Sequence, residues 1–153
     1  MLLIEKYIKY LRYEKNYSLH TEISYSEDLR QFSEFLNSHF PDVSLQTTDS
    51  DIIRMWMVSL MENKISARSV NRKLSTLKSF YKYLLKIKEV DSNPAKKVTG
   101  PKTNKPLPAF VNNADMDNIL SENTDLPQTF EDTRNKLMIE LFYVTGMRRA
   151  ELL

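Results

Sequence analysis

The chain has 153 residues, 41% of them apolar and 27% charged, with 22 basic residues against 20 acidic and a formal net charge of +2. That length suits one ordinary domain, or one small domain with part of a second. The near-balanced charge names no partner. The absence of cysteine excludes a disulfide framework and thiolate chemistry, and having only His20 and His39 argues against a histidine-built metal site.

Two glycines occur where average usage would give about ten. This argues for long helices and against a glycine-rich phosphate loop. The opening MLLIEKYIKYLRYEK meets charge after four residues and lacks a signal-peptide pattern. No stretch approaches the roughly 18 apolar residues of a membrane span, so the expectation is a soluble, cytoplasmic protein with no membrane contact.

Leu3, Ile4, Tyr7, Ile8 and Leu11 share one face, predicting a first helix over 2–14. After a break at 15–17, Ser18 is the expected N-cap of a second helix running to about Asn37, with Ile23, Leu29, Phe32, Phe35 and Leu36 as its apolar residues. A third helix starts near Thr48 or Asp49 and carries Ile52, Ile53, Trp56 and Leu60. Asp49 and Asp51 suit its positive N-terminal end.

A fourth helix is expected from Ser66 to about Lys86. Val70, Leu74, Leu77, Phe80, Tyr81, Leu84 and Leu85 form one broad apolar stripe, and Arg68, Arg72, Ser75, Ser79, Lys82 and Lys86 project from the opposite side. Residues 64–88 contain eight Lys or Arg and no Asp or Glu, leaving the remainder net acidic. The stretch KKVTGPKTNKPLP at 96–108 has no periodicity and reads as a linker. A second unit begins near Phe110, with a short helix capped by Asn112 or Asn113 and a longer one over about 131–144. Thr145-Gly146 interrupts the latter, and MRRAELL resumes a helical pattern. The apolar run at the end, without a closing turn, is the pattern expected of a truncated chain, and residues 110–153 are expected to be partly disordered or self-associating.

An acid-free basic helix on a four-helix unit is a nucleic-acid footprint. Lysine and arginine neutralise phosphates, while small polar side chains fix register. Small Ser75 and Ser79 between the long basic side chains allow close approach to a duplex, and Arg68, Asn71, Arg72 and Lys78 are the candidates for base edges. Lys15, Tyr17, Ser18 and Thr21 form a second polar-basic patch at a helix N-terminus, where backbone N–H groups favour phosphate. The competing reading is a solvated basic face on a helical bundle. Phe80, Tyr81 and Trp56 are expected in the core, not as stacking platforms.

The segment SARSVNRKLSTLKSFYKYLLK at 66–86 resembles the last long helix of the core-binding domain of Xer-type tyrosine recombinases. SNPA at 92–95, PKTNKPLPAFV at 101–111 and YSLHTEISYSEDLRQFSEFL at 17–36 are similar to the same family. YVTGMRRAELL at 143–153 is similar to its motif around the first catalytic arginine, and the matches follow the family order.

The resemblance implies an all-α fold, a four-helix SAM-like core-binding domain over 1–95 followed by the helical beginning of a catalytic domain over 109–153. It places the catalytic arginine at Arg148, with Glu151 supporting it. It implies double-stranded DNA as partner, gripped by one half of a C-shaped clamp, with Lys102 and Lys105 of the linker near phosphate. It further implies a tetramer of protomers on DNA, with helix one a candidate interface, and no metal or nucleotide cofactor. The implied reaction is strand breakage and rejoining through a 3′-phosphotyrosyl link. The family's nucleophilic tyrosine and most of its other catalytic residues match no position here, and Tyr143 reads as core, so this chain alone is expected to be inactive. Chromosome-dimer resolution and mobile-element integration or excision remain open as roles, as do a standalone DNA-binding protein and a helical interaction module.

Overall fold

A computed structural model describes residues 2–104, 107, 111–120 and 129–152. The described residues are helical, with no strand. They fall into two compact units, Met1–Asn104 and Lys105–Leu153.

The first unit holds α1 (Leu2–Tyr13), α2 (Leu19–His39), α3 (Ser50–Glu62) and α4 (Ala67–Lys86), then a 3-10 turn at Pro94–Lys97. Each start after the first is set by its cap. Ser18 Oγ accepts from the Thr21 backbone, Asp49 from Asp51 and Ile52, and Ser66 from Ser69, satisfying donors that the first helical turn leaves open. Asn16, Lys64 and Lys88, just beyond α1, α3 and α4, take positive φ, so these helices end without glycine.

α4 is the centre of this unit. Val70, Leu74, Leu77, Phe80, Tyr81, Tyr83 and Leu84 are buried against Tyr7 and Leu11 of α1, Leu29, Phe32 and Leu36 of α2, and Ile53, Trp56 and Met57 of α3. Phe80 and Tyr81 are fully buried and Trp56 is 2% exposed, so the aromatic residues of the stripe serve packing, as expected. The Tyr81 hydroxyl donates to the Leu45 carbonyl at 2.9 Å, and burial pushes its pKa up to about 12.

Residues 94–101 differ from the linker expectation. Ala95 and Val98 belong to the core, and Asn71 Nδ2 donates to the Pro101 carbonyl at 2.8 Å. The first unit therefore continues to Asn104 rather than closing at 95. The physical reason is that two small apolar side chains suffice to anchor a segment with no helical period. Gly100 marks the closest approach, since a Cβ there would fall on the Asn71 amide. Gly100→Ala is expected to displace that amide and lower stability by about 1 kcal/mol, the worth of one hydrogen bond. Urea unfolding followed by fluorescence of the single tryptophan, Trp56, measures it. An unchanged midpoint would mean that the Asn71–Pro101 bond contributes nothing.

The second unit holds α5 (Asn113–Leu120), α6 (Phe130–Thr145) and α7 (Arg149–Leu152). Asn112 caps α5 through the Ala114 backbone, and Thr129 with Asp132 forms a capping box on α6. Gly146 ends α6 in the left-handed conformation at φ 65°, at the interruption that the sequence predicts. Phe110 and residues 121–128 lie outside the described residues.

Candidate nucleic-acid interface

The outward stripe of α4 is narrower than its charge pattern predicts, because both margins are built into the fold. On one margin, Ser79 Oγ accepts from the Tyr7 hydroxyl at 2.7 Å. Burial raises the Tyr7 pKa, and the Ser79 bond partly offsets this. Arg72, on the same margin, donates from both Nη atoms to the buried Asp28 carboxylate. On the other margin, Asn71 is tied to Pro101, and half-buried Lys78 gives its carbonyl to Asn93 Nδ2 at 3.0 Å.

Between these margins Arg68, Ser75 and Lys82 are exposed. Ser75 Oγ donates to the Asn71 carbonyl, which keeps it small and flat against its own helix. Lys86, at the C-terminal end of the stripe, pairs with Glu14 at 2.9 Å and lies over the Tyr10 ring at 4.7 Å. Its pKa is raised by the Glu14 hydrogen bond. Of the residues expected nearest base edges, Arg68 is the exposed one outside these anchors. Arg72 presents a half-exposed guanidinium, the Asn71 amide serves the fold, and half-buried Lys78 serves it through its backbone carbonyl.

The second predicted patch is a surface corner. Ser18 and Thr21 share a hydroxyl hydrogen bond at 3.0 Å beside the α2 start. Tyr17 stands edge-on to Tyr25, with ring centroids 6.3 Å apart. Exposed Lys15 sits 5.9 Å from the Tyr10 ring. Lys102 is exposed at the end of the first unit, and Lys105 lies outside the described residues.

In the second unit, Glu151 serves Arg148 twice: one carboxylate oxygen accepts from the Arg148 backbone N–H at 2.7 Å and the other from Nη1 at 3.2 Å. The guanidinium is 85% exposed. Such a planar donor fork suits the non-bridging oxygens of a phosphodiester. Tyr143, expected in the core, is instead 50% exposed and donates to Asn113 Oδ1 at 3.1 Å, because among the described residues of this unit few side chains are covered.

Sequence reasoning missed three buried charged groups: Asp28 and Lys73 beneath the stripe, and Glu22 facing α1. Asp28 accepts from Arg72, Lys73 and Thr76. Lys73 Nζ also donates to Gln31 at 2.6 Å, and Glu22 accepts from Arg12 Nε through both oxygens. A signal was present: Asp28 lies on the α2 face of Leu29, Phe32 and Leu36, and Lys73 falls at helical spacing between Val70 and Leu77. Ionic residues on apolar faces imply partners.

The family model described as phage integrase, N-terminal SAM-like domain, matches residues 4–88. Among curated proteins, the tyrosine recombinase XerC of Oceanobacillus iheyensis is 37% identical over 98% of this chain and 48% of its own length. That of Anoxybacillus flavithermus is 39% identical over 95% and 47%, and that of Bacillus subtilis 32% over 97% and 48%. The chain thus spans about half the length of the curated relatives it matches. No solved structure matches it.

Proposed function

Because the chain belongs to the phage integrase family, as an Xer-type tyrosine recombinase with the N-terminal SAM-like domain, we propose that its first unit grips duplex DNA through the α4 stripe. The observation that carries this is the acid-free basic helix with Arg68, Ser75 and Lys82 exposed in a row and Arg72 beside them. Phosphates along a duplex match such a row, and the small serine lets the helix approach. Lys15, Tyr17, Ser18, Thr21, Lys102 and Lys105 add flanking backbone contacts in this reading.

The second unit begins the strand-exchange half, with Arg148 as the catalytic arginine. A tyrosine hydroxyl attacks phosphorus and forms a 3′-phosphotyrosyl bond. The P–O bond to the 5′ oxygen breaks, and that oxygen leaves as a 5′-hydroxyl. The hydroxyl of a partner strand then reverses the step. Arg148 would neutralise charge on the non-bridging oxygens as the five-coordinate state forms. These 153 residues supply one group of that reaction, and we expect no strand cleavage from them. In the whole protein the reading extends to a tetramer of protomers acting on DNA in the cytoplasm, in the resolution of chromosome dimers. No helix among the described residues is long and apolar enough to cross a membrane.

The test is anisotropy of labelled duplexes over a salt series. Four or five phosphate contacts give a log–log slope of about −4, at about 0.9 per contact. A folded chain that binds no duplex at low salt would overturn the reading and leave α4 a solvated face.

A further inference from the structure

We infer that Asp28 is a positioning residue for DNA contact: it holds the Arg72 guanidinium in one orientation, while Lys73 supplies the charge that leaves Arg72 attractive to an anion. This rests on the α4 stripe being the DNA surface and deepens it.

The geometry is specific. Asp28 is 1% exposed, Lys73 7% and Arg72 47%, so the cluster runs from the core out to the stripe. Asp28 Oδ1 accepts from Arg72 Nη2 and Lys73 Nζ, both at 2.9 Å. Its Oδ2 accepts from Arg72 Nη1 and, at 2.9 Å, from Thr76 Oγ1. Every lone-pair site of the carboxylate is thereby used, and the guanidinium is gripped by its Nη end.

Two consequences follow. A guanidinium held through both Nη atoms keeps its other edge, Nε–H with one adjacent Nη–H, as a parallel donor pair. Among the described residues no hydrogen bond engages Arg72 Nε. Charge is the second consequence. An arginine paired one-to-one with a carboxylate would be neutralised and a poor anion ligand. Here Lys73 already balances Asp28, so the trio carries one net positive charge and only Arg72 reaches solvent with it. Asp28 therefore fixes the direction of the arginine without cancelling its attraction. A paired acceptor on the duplex, either two phosphate oxygens or the O6/N7 edge of a guanine, takes that donor edge.

A double-mutant cycle on the whole chain tests this, with Asp28→Asn, Arg72→Ala and the pair, each checked for folding by circular dichroism before duplex titration. Asparagine keeps one acceptor oxygen, enough for Lys73, but loses the two-oxygen grip on the guanidinium. Each single change is expected to weaken binding about tenfold, within the range for one good arginine contact, and the pair no more than Arg72→Ala alone. An equal further loss from Asp28→Asn in the Arg72→Ala background would show Asp28 acting through general structure and overturn the inference, as would wild-type binding by Asp28→Asn. If Asp28→Asn does not fold, Arg72→Lys decides: it keeps the charge but loses the fork. Binding as weak as Arg72→Ala supports positioning, and wild-type binding overturns it. A panel of duplexes separates the acceptors. A uniform loss with a salt slope shallower by about 1 marks phosphate, and a loss confined to certain sequences marks a guanine edge. A wild-type chain that binds no duplex removes the underlying DNA reading itself, whereas wild-type binding matched by Arg72→Lys removes this inference alone.

Discussion

The double variant Arg68→Ala/Lys82→Ala is expected to bind duplex DNA on the order of a hundredfold more weakly at 0.1 M salt, with a log–log salt slope shallower by about 1.8. Both figures come from losing two phosphate contacts, each releasing about 0.9 counterion. The two residues are exposed near opposite ends of the stripe, so their contributions should add. Neither is held by the hydrogen bonds that bind the stripe margins to the rest of the unit, so stability should move by less than about 0.5 kcal/mol. Arg72 is left out of this variant deliberately. Its guanidinium lies on a buried carboxylate, and its removal would mix a folding effect with a binding one. Duplex titration together with a thermal melt separates the two quantities. Unchanged affinity with an unchanged melt would move the DNA surface away from α4.

The four helices of the first unit were legible because their determinants are local. Ser18 and Ser66 cap where the sequence predicts, and Asp49 caps at one of the two starts left open for the third helix, since a cap needs only its own side chain and the next turn of backbone. The apolar stripe of α4 was equally readable from its period, and Gly146 from its place after the last periodic residue of α6. What could not be read were pairings across the chain. Tyr7 meets Ser79, Asn71 meets Pro101 and Asp28 meets Arg72 only after the helices have packed. These three bonds turn a broad basic face into a narrow one, with Arg68, Ser75 and Lys82 outermost. Arg148 is proposed through resemblance to a family motif, since a guanidinium just before a short exposed helix gives no signal of its own in composition or period.

Asp28→Ala is expected to be among the most damaging single changes in the first unit, lowering its stability by about 3–5 kcal/mol. The carboxylate gives the buried Lys73 ammonium its counter-charge at 2.9 Å, and alanine would leave that charge in the core with Gln31 alone as acceptor. Removing one partner of a buried pair has this scale of cost because the remaining ion loses its solvation without compensation. The Thr76 hydroxyl, fully buried, loses its carboxylate acceptor as well and keeps only the longer bond to the Arg72 carbonyl at 3.3 Å. Domains of this size have about 5–15 kcal/mol in total, so the variant should unfold at a much lower urea concentration. Trp56 reports on this unit alone, being the chain's single tryptophan and packed on Phe32 at 4.9 Å between centroids. The decisive companion is Asp28→Leu/Lys73→Met, which removes both ions and fills their space with apolar atoms. Replacing a buried pair in this way is often neutral or stabilising, so most of the lost stability should return while duplex binding stays weak, because Arg72 then lacks its anchor. Recovery of stability and binding together would show that Arg72 needs no anchor. Recovery of neither would mean that the ionic cluster itself specifies how α2 docks on α4.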